Sequence, residues 1–472
     1  MSDWQEAEQR VEKAHELYEG GNWEAALKEL RAAIEINPNN SSWYFNLGLT
    51  LDMMERYEEA LKAYTQALRM DPHDAEVLHA AGVDATRLGR YKCSIDLFKR
   101  LERLDPTYEA CYCNRIFAHA ELGQHDQAEE MFYLARQYRE KCPLCYYNMG
   151  HSLLARGLAD RALWCWQQVL DLEPDYPQVH ARIAEALWTK GQHSEARRHL
   201  LEELRCDPGN IDTLLDLGQL LAEMDQPEAA AEKFRQVLDL DPNECTAHFE
   251  LGVLEDTAGE HQLALERFRH VLRHDAQFPR AHLRIAQIHQ RLKNRVEALY
   301  HANCELSQPE LDAHTLFELG TLLMDLNQLE SARTAFARLL EIDPQDADAR
   351  HSMAVILLMS GQIDEGIIQC KMALRILPKY MLAMSNLALA YLEKRDIVRA
   401  RYWLREAMSI APDDHQLRKI RRRITLEAAV GQLRHLPKKL LLRLQRSKKC
   451  KASIAQPAAV SEPAPAVAPP SK

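Results

Sequence analysis

Two close cysteine pairs, Cys111-Tyr-Cys113 and Cys142-Pro-Leu-Cys145, are the side chains whose type and spacing come nearest to a chemical site. Four thiolates on two neighbouring helices would suit zinc, and Cys142 with Cys145 at a helix start would suit a low-pKa redox pair, because a helix N-terminus favours thiolate. Against both readings, helical periodicity turns Cys111 and Cys113 to different faces, and free cysteine is an ordinary small core residue. The sequence reading is therefore no metal and no cofactor, with Cys111, Cys113, Cys142 and Cys145 as the alternative. Asp239-Leu-Asp241-Pro-Asn243 followed by Glu250 mimics a calcium loop, but Glu244 stands where the sharp turn needs glycine. His119, His125 and His151 lack paired carboxylates. No phosphate-cradling glycine loop, zinc-protease helix or nucleophile elbow occurs. The chain is not expected to be an enzyme.

The elements that would hold those side chains are repeated. Pro38, Pro72, Pro106, Pro174, Pro208, Pro242, Pro344, Pro378 and Pro412 lie on one grid of 34 residues, broken only at Glu140, Ala276 and Glu310. A fixed period of that length means a chain of units rather than one core. Within each unit two short apolar runs at helical spacing read as two antiparallel amphipathic helices, and the proline stops the second. Gly48, Gly82, Gly150, Gly218, Gly252 and Gly320 share one small site in the first helix. Tyr64, Phe98, Phe132, Trp166, Phe234, Phe268 and Phe336 share a bulky site in the second, expected to fill the gap to the next unit. Gly123, Gly157, Gly191, Gly259 and Gly361 fall at the turn between the helices.

This pattern resembles the tetratricopeptide repeat family over residues 7 to about 412, in twelve units. The resemblance implies an all-α fold, a right-handed superhelical solenoid of antiparallel helix pairs with a concave groove lined by the first helices. Residues 1–6 read as a lead-in, 413–436 as a capping helix, 437–452 as a basic amphipathic helix and 453–472 as a disordered Ala/Pro-rich tail. The ninth unit, with Lys293 at the turn, Ala302 for the aromatic and Glu310 for the proline, is expected to form a softer or bent joint over 279–312. With the family geometry carried over, the fifth position of a unit faces the groove as Phe45, His79, Tyr147, Phe249, Phe317 and His351. The sixth does so as Asn46, Asn114, Asn148 and Asn386. Asparagine there can donate and accept toward an extended peptide while the ring supplies apolar contact. This resembles the asparagine ladder of some peptide-binding members, broken here by Arg182, Asp216, Glu250, Arg284 and Glu318. The alternative is that these side chains only pack between adjacent first helices.

Composition narrows the partners. The net charge is −11, yet 413–452 holds thirteen Lys and Arg against three Asp and Glu, so the repeats are strongly acidic. An acidic body repels phosphate and argues against nucleic acid on the repeats. Eleven scattered cysteines fit a reducing compartment, and no apolar run reaches the ~18–20 residues of a membrane span. The expectation is a cytoplasmic scaffold or adaptor for a protein or peptide. One alternative is a factor tethered to an anionic membrane through 437–451, using Lys438, Lys439, Arg443, Arg446, Lys448 and Lys449. Another is a non-catalytic accessory subunit of an enzyme such as a glycosyltransferase.

Overall fold

The computed structural model describes residues 3–434; the stretch 437–452 with its basic side chains and the tail 453–472 lie outside the described residues. Among the described residues there are twenty-five α-helices, α1 to α25 in chain order, and no strand. Odd-numbered helices up to α23 are the first members of twelve pairs and even-numbered helices the second, and in eleven of the pairs, all but α15 and α16 at the boundary between the two units, the helix packs on its partner. By backbone contacts the chain divides into two compact units, Met1–Leu254 and Glu255–Lys472. Within the first unit successive first helices also touch: α3 (Ser41–Met53) with α5 (Ala75–Arg87), α5 with α7 (Ala110–Glu121), and α7 with α9 (Pro143–Ala155). The first helices therefore line the inner side of that stack.

Where the grid holds proline, it ends the second helix by constraining the residue before it. In α4 (Tyr57–Met70) the helix stops at Asp71, extended at φ −122° and ψ 94°, just before Pro72. A residue preceding proline is pushed out of the helical region, so no further turn can form. Two residues on, a side chain caps the next first helix: Asn40, Asp74, Asn210, Asp312 and Asp346 each accept a backbone N–H there. Such a cap satisfies a donor with no partner inside the helix and contributes about 1 kcal/mol. After α24 (Ile397–Ile410), α25 (His415–Arg434) begins the same way, with Asp414 accepting from Leu417 N at 2.8 Å. Leu417, Ile420 and Ile424 of α25 are buried in the last core cluster with Leu387, Ala388 and Leu404.

The turn inside each pair is left-handed in all twelve, at residues 21, 55, 89 and onward every 34 to 395. Seven of these positions are glycine, while Glu55, Asp225, Lys293, Asn327 and Arg395 hold the same φ of 55° to 60° with a side chain. That conformation costs a non-glycine residue roughly 1–2 kcal/mol, which the packed pair must offset. Lys293 is thus one of five such turns, and its lack of glycine does not set the ninth pair apart.

Five of the bulky second-helix residues cover a glycine of their own pair. A Cβ at Gly82, Gly150, Gly218 or Gly320 would meet Phe98, Trp166, Phe234 or Phe336 at 2.5 to 2.7 Å, and Tyr64 covers Gly48 in the same way. At these five sites the ring fills the volume that the missing side chain leaves between paired helices, a contact within the pair that adds to the one expected from sequence. Where the small site is alanine, the residue sixteen on is smaller than a ring, as in Ala184 with Leu200, Ala286 with Ala302 and Ala388 with Leu404. Ala302 therefore matches Ala286 across the ninth pair. In the fourth pair Ile116 occupies the small site, and Phe132 lies edge-on to Tyr146 of the next pair at 5.2 Å.

Candidate functional site

Three fifth-position rings of the first unit are half-buried, on α3, α5 and α9. Phe45 lies 6.0 Å from Tyr64, His79 lies 6.2 Å from Phe98, and Tyr147 packs on the same core. Phe249 differs, being only 9% exposed. In the second unit Phe317 is half-buried and meets Phe336 edge-on at 5.8 Å.

The asparagines are largely engaged within the protein. Asn148 is 6% exposed and donates from Nδ2 to the Cys113 carbonyl at 2.8 Å, tying α9 to α7. Asn114 donates to the carbonyl of Ala110 on its own helix at 3.0 Å. Asn386 Nδ2 lies 2.8 Å from His351 Nε2. Asn46 lines a hollow at the start of the first unit with Val11, Ala14, His15, Tyr18 and Leu30. An amide buried on a neighbour's carbonyl contributes to stability and presents nothing to a ligand. Burial lowers the pKa of His79 and of His351, so both rings stay neutral at physiological pH.

Several features of the inner face escaped the sequence reading. Tyr108 lies 5.5 Å from His79, Tyr176 lies 5.4 Å from Tyr147, and Tyr380 lies 5.1 Å from His351. Each comes from the linker, at the position that elsewhere holds the capping Asn or Asp. The signal was present: an aromatic stands 29 residues after the fifth-position ring in each of these units. The linker ring stacks beside the first-helix ring and widens the aromatic surface.

A second feature occurs once in each compact unit. Gln178 and Arg280 are the described residues outside the turn grid with positive φ, 63° and 66°, and each follows an aromatic-proline pair. The helices that follow, α11 (Val179–Thr189) and α17 (Ala281–Arg291), start late and have 11 residues each. A buried carboxylate from the paired second helix accepts the exposed N–H groups. Glu203 of α12 (His193–Cys206) takes Gln178 N at 3.0 Å and Ala181 N at 3.3 Å. Glu305 of α18 (Arg295–Leu306) takes Arg280 N at 2.9 Å and Leu283 N at 3.0 Å. Beside each carboxylate two imidazoles face each other, His180 Nδ1 to His199 Nδ1 at 2.9 Å and His282 Nδ1 to His301 Nδ1 at 2.7 Å. Two nitrogens at that distance share one proton, so one ring must donate and the other accept. Burial first, and the partner imidazole second, push His199 and His301 down to about 4.

Of the four cysteines, three converge. Cys113, Cys142 and Cys145 place their sulfurs within 4.8 Å of one another. Cys111 is buried on its own, near Glu102 and Arg115, with its thiol pushed up to about 12 mainly by burial. No helix among the described residues is long and apolar enough to cross a membrane.

Comparison with known proteins follows the repeat. A family model described as TPR repeat matches residues 14–54, one described as Tetratricopeptide repeat matches 41–74, and a second of that description matches 147–211, 215–269 and 317–380. These stretches cover just over half of the chain. Protein NPGR1 of Arabidopsis thaliana is 29% identical over 119 residues, 25% of this chain and 17% of that protein, so the match spans about a sixth of that relative's length. Among solved structures, a tetratricopeptide repeat protein from Parabacteroides merdae is 19% identical, covering 53% of this chain and 99% of its own at a TM-score of 0.47. The APC/C hetero-tetramer Cut9-Hcn1 is 15% identical over 87% of this chain and 95% of its own, with a TM-score of 0.40. Yeast Tom70 is 15% identical over 93% of this chain and 99% of its own, with a TM-score of 0.39.

Proposed function

The chain belongs to the tetratricopeptide repeat family, and from that premise we propose that it is a protein-interaction scaffold that holds an extended partner segment along its first helices. The observation that carries this reading is the set of half-buried rings on three first helices of the first unit, α3, α5 and α9. Phe45, His79 and Tyr147, joined by Tyr108 and Tyr176 from the linkers, offer apolar faces, one repeat apart from Phe45 to His79 and two from His79 to Tyr147. Aromatic rings with few rotatable bonds give contact area at low entropic cost. In the second unit Phe317 and the His351–Tyr380 pair offer the same kind of face.

The structure of the asparagines narrows how the segment is held. With Asn148 6% and Phe249 9% exposed, this reading rests on the more exposed rings and on Asn46 rather than on a continuous amide ladder. The acidic balance of the repeats favours a partner segment that carries Lys or Arg between its apolar residues.

Photo-crosslinking tests the reading. A benzophenone side chain replaces Phe45 or Tyr147 in one set of variants, and the exposed second-helix residues Tyr133 or Trp164 in another. Irradiation in source-cell lysate should give the same covalent partner from the first set and none from the second. Capture from the second-helix sites alone would move the binding surface to the opposite face.

A further inference from the structure

The three converging cysteines lie between the fourth and fifth pairs. Cys113 is in α7, and Cys142 and Cys145 flank the start of α9, just after the grid position where Glu140 replaces proline. Cys113 Sγ is 3.5 Å from Cys142 Sγ and 2.9 Å from Cys145 Sγ, and the three residues are 1 to 2% exposed. A core cysteine ordinarily packs its sulfur against carbon, as a small hydrophobe does. Three sulfurs drawn to one point instead form a ligand set.

Two further contacts point the same way. Cys142 stands where other repeats place the capping Asn or Asp, and its sulfur accepts from Cys145 N at 3.2 Å. A neutral thiol accepts weakly, whereas a thiolate at a helix N-terminus accepts well. The Glu109 carboxylate lies next to Cys142, outside the three-sulfur cluster, and is ion-paired with Arg139. The Asn148 amide on the Cys113 carbonyl sets how α7 meets α9, and so fixes the distance between the two halves of the set.

We propose that Cys113, Cys142 and Cys145, with the Glu109 carboxylate as fourth donor, bind one zinc ion that clamps the fourth repeat to the fifth. Four-coordinate zinc takes thiolate and carboxylate together, and binding releases the remaining thiol protons to solvent. Arg139 offsets part of the negative charge that four anionic donors leave around a dication. A disulfide would use two of these sulfurs and strand the third in the core.

The full-length chain is isolated under reducing conditions, loaded with zinc, desalted into a competing chromophoric chelator and assayed for metal by mass spectrometry. One zinc per chain should be retained. Cys113→Ser and Cys145→Ser should each retain it at least tenfold less well, and Cys111→Ser should hold it as the parent does. Absence of retained zinc, retention by a Cys113→Ser/Cys145→Ser double variant, or a Cys113–Cys145 disulfide found by alkylation and peptide mapping each overturns the proposal. X-ray absorption at the zinc edge on the parent chain needs no variant to fold. Three sulfurs at about 2.3 Å and one oxygen at about 2.0 Å support the assignment. A shell of nitrogen and oxygen, as the histidine pairs would give, overturns it.

Discussion

Gly150→Ala isolates the glycine–ring packing that joins the two helices of a pair. A Cβ at Gly150 would lie 2.5 Å from Trp166 Nε1, 2.6 Å from Cε2 and 2.9 Å from Cδ1. Ordinary contact is about 3.5–4.0 Å, so the indole must retreat by about 1 Å. Trp166 is wholly buried, and its Nε1 donates to the Tyr147 carbonyl at 3.2 Å. Overpacking costs about 1–3 kcal/mol, and a buried donor without its acceptor costs about 1–3 kcal/mol. Alanine is a better helix former than glycine by about 1 kcal/mol, which offsets part of this. The expected net loss is about 3 kcal/mol, local to α9 and to α10 (Ala159–Leu172), because repeats unfold semi-independently.

Hydrogen exchange resolved by peptide reads that local quantity. Amides of α9 and α10 should exchange about a hundredfold faster in the variant, with α1 (Asp3–Glu19) and α2 (Trp23–Ile36) unchanged. Adding Trp166→Leu recreates the Ala184 and Leu200 pairing of the following repeat. The double variant should recover at least about 1 kcal/mol relative to the sum of the single changes. Exchange in Gly150→Ala as slow as in the parent would show that helix propensity outweighs packing, and strict additivity would show that ring and glycine do not interact. Either result refutes the account.

Glu305→Gln leaves one of two backbone N–H groups at the start of α17 without its acceptor, since an amide has a single carbonyl oxygen; a loss of about 1–3 kcal/mol is expected by urea unfolding, and Glu203→Gln should act likewise on α11. An unchanged midpoint in both would mean that solvent already satisfies those groups. For the imidazole pairs the folded pKa of His199 and His301 is lowered to about 4, so the unfolded chain takes up protons first as pH falls below about 6.5. Stability is complete above that pH and should drop toward pH 4 by about 1 kcal/mol for each pair, after allowance for their half-exposed setting. A His199→Gln/His301→Gln variant should show a shallower decline of urea midpoint over the same range, and a parallel decline would assign the acid sensitivity to other groups.

The sequence by itself determined the repeat. Proline at one grid position, a small residue in the first helix and apolar periodicity are local constraints, each acting through backbone sterics or helix amphipathicity within one unit. They repeat every 34 residues whatever the neighbours do, so the helix pairs could be read directly. The pairing of each ring with its own glycine was present as a sixteen-residue correlation, but only the packed helices show that the ring turns inward on its own pair. The five non-glycine turns were hidden because tertiary packing offsets a strain that propensity alone would forbid. Side-chain orientation between units was beyond the sequence for a related reason. Rotation of one helix about its axis decides whether Asn148 meets a ligand or the Cys113 carbonyl, and that rotation is set by the whole interface. The same rotation separated Cys111 from Cys113 and brought Cys113 to Cys142 and Cys145. Spacing along the chain placed four sulfurs near one another, and three-dimensional packing chose which three share a point.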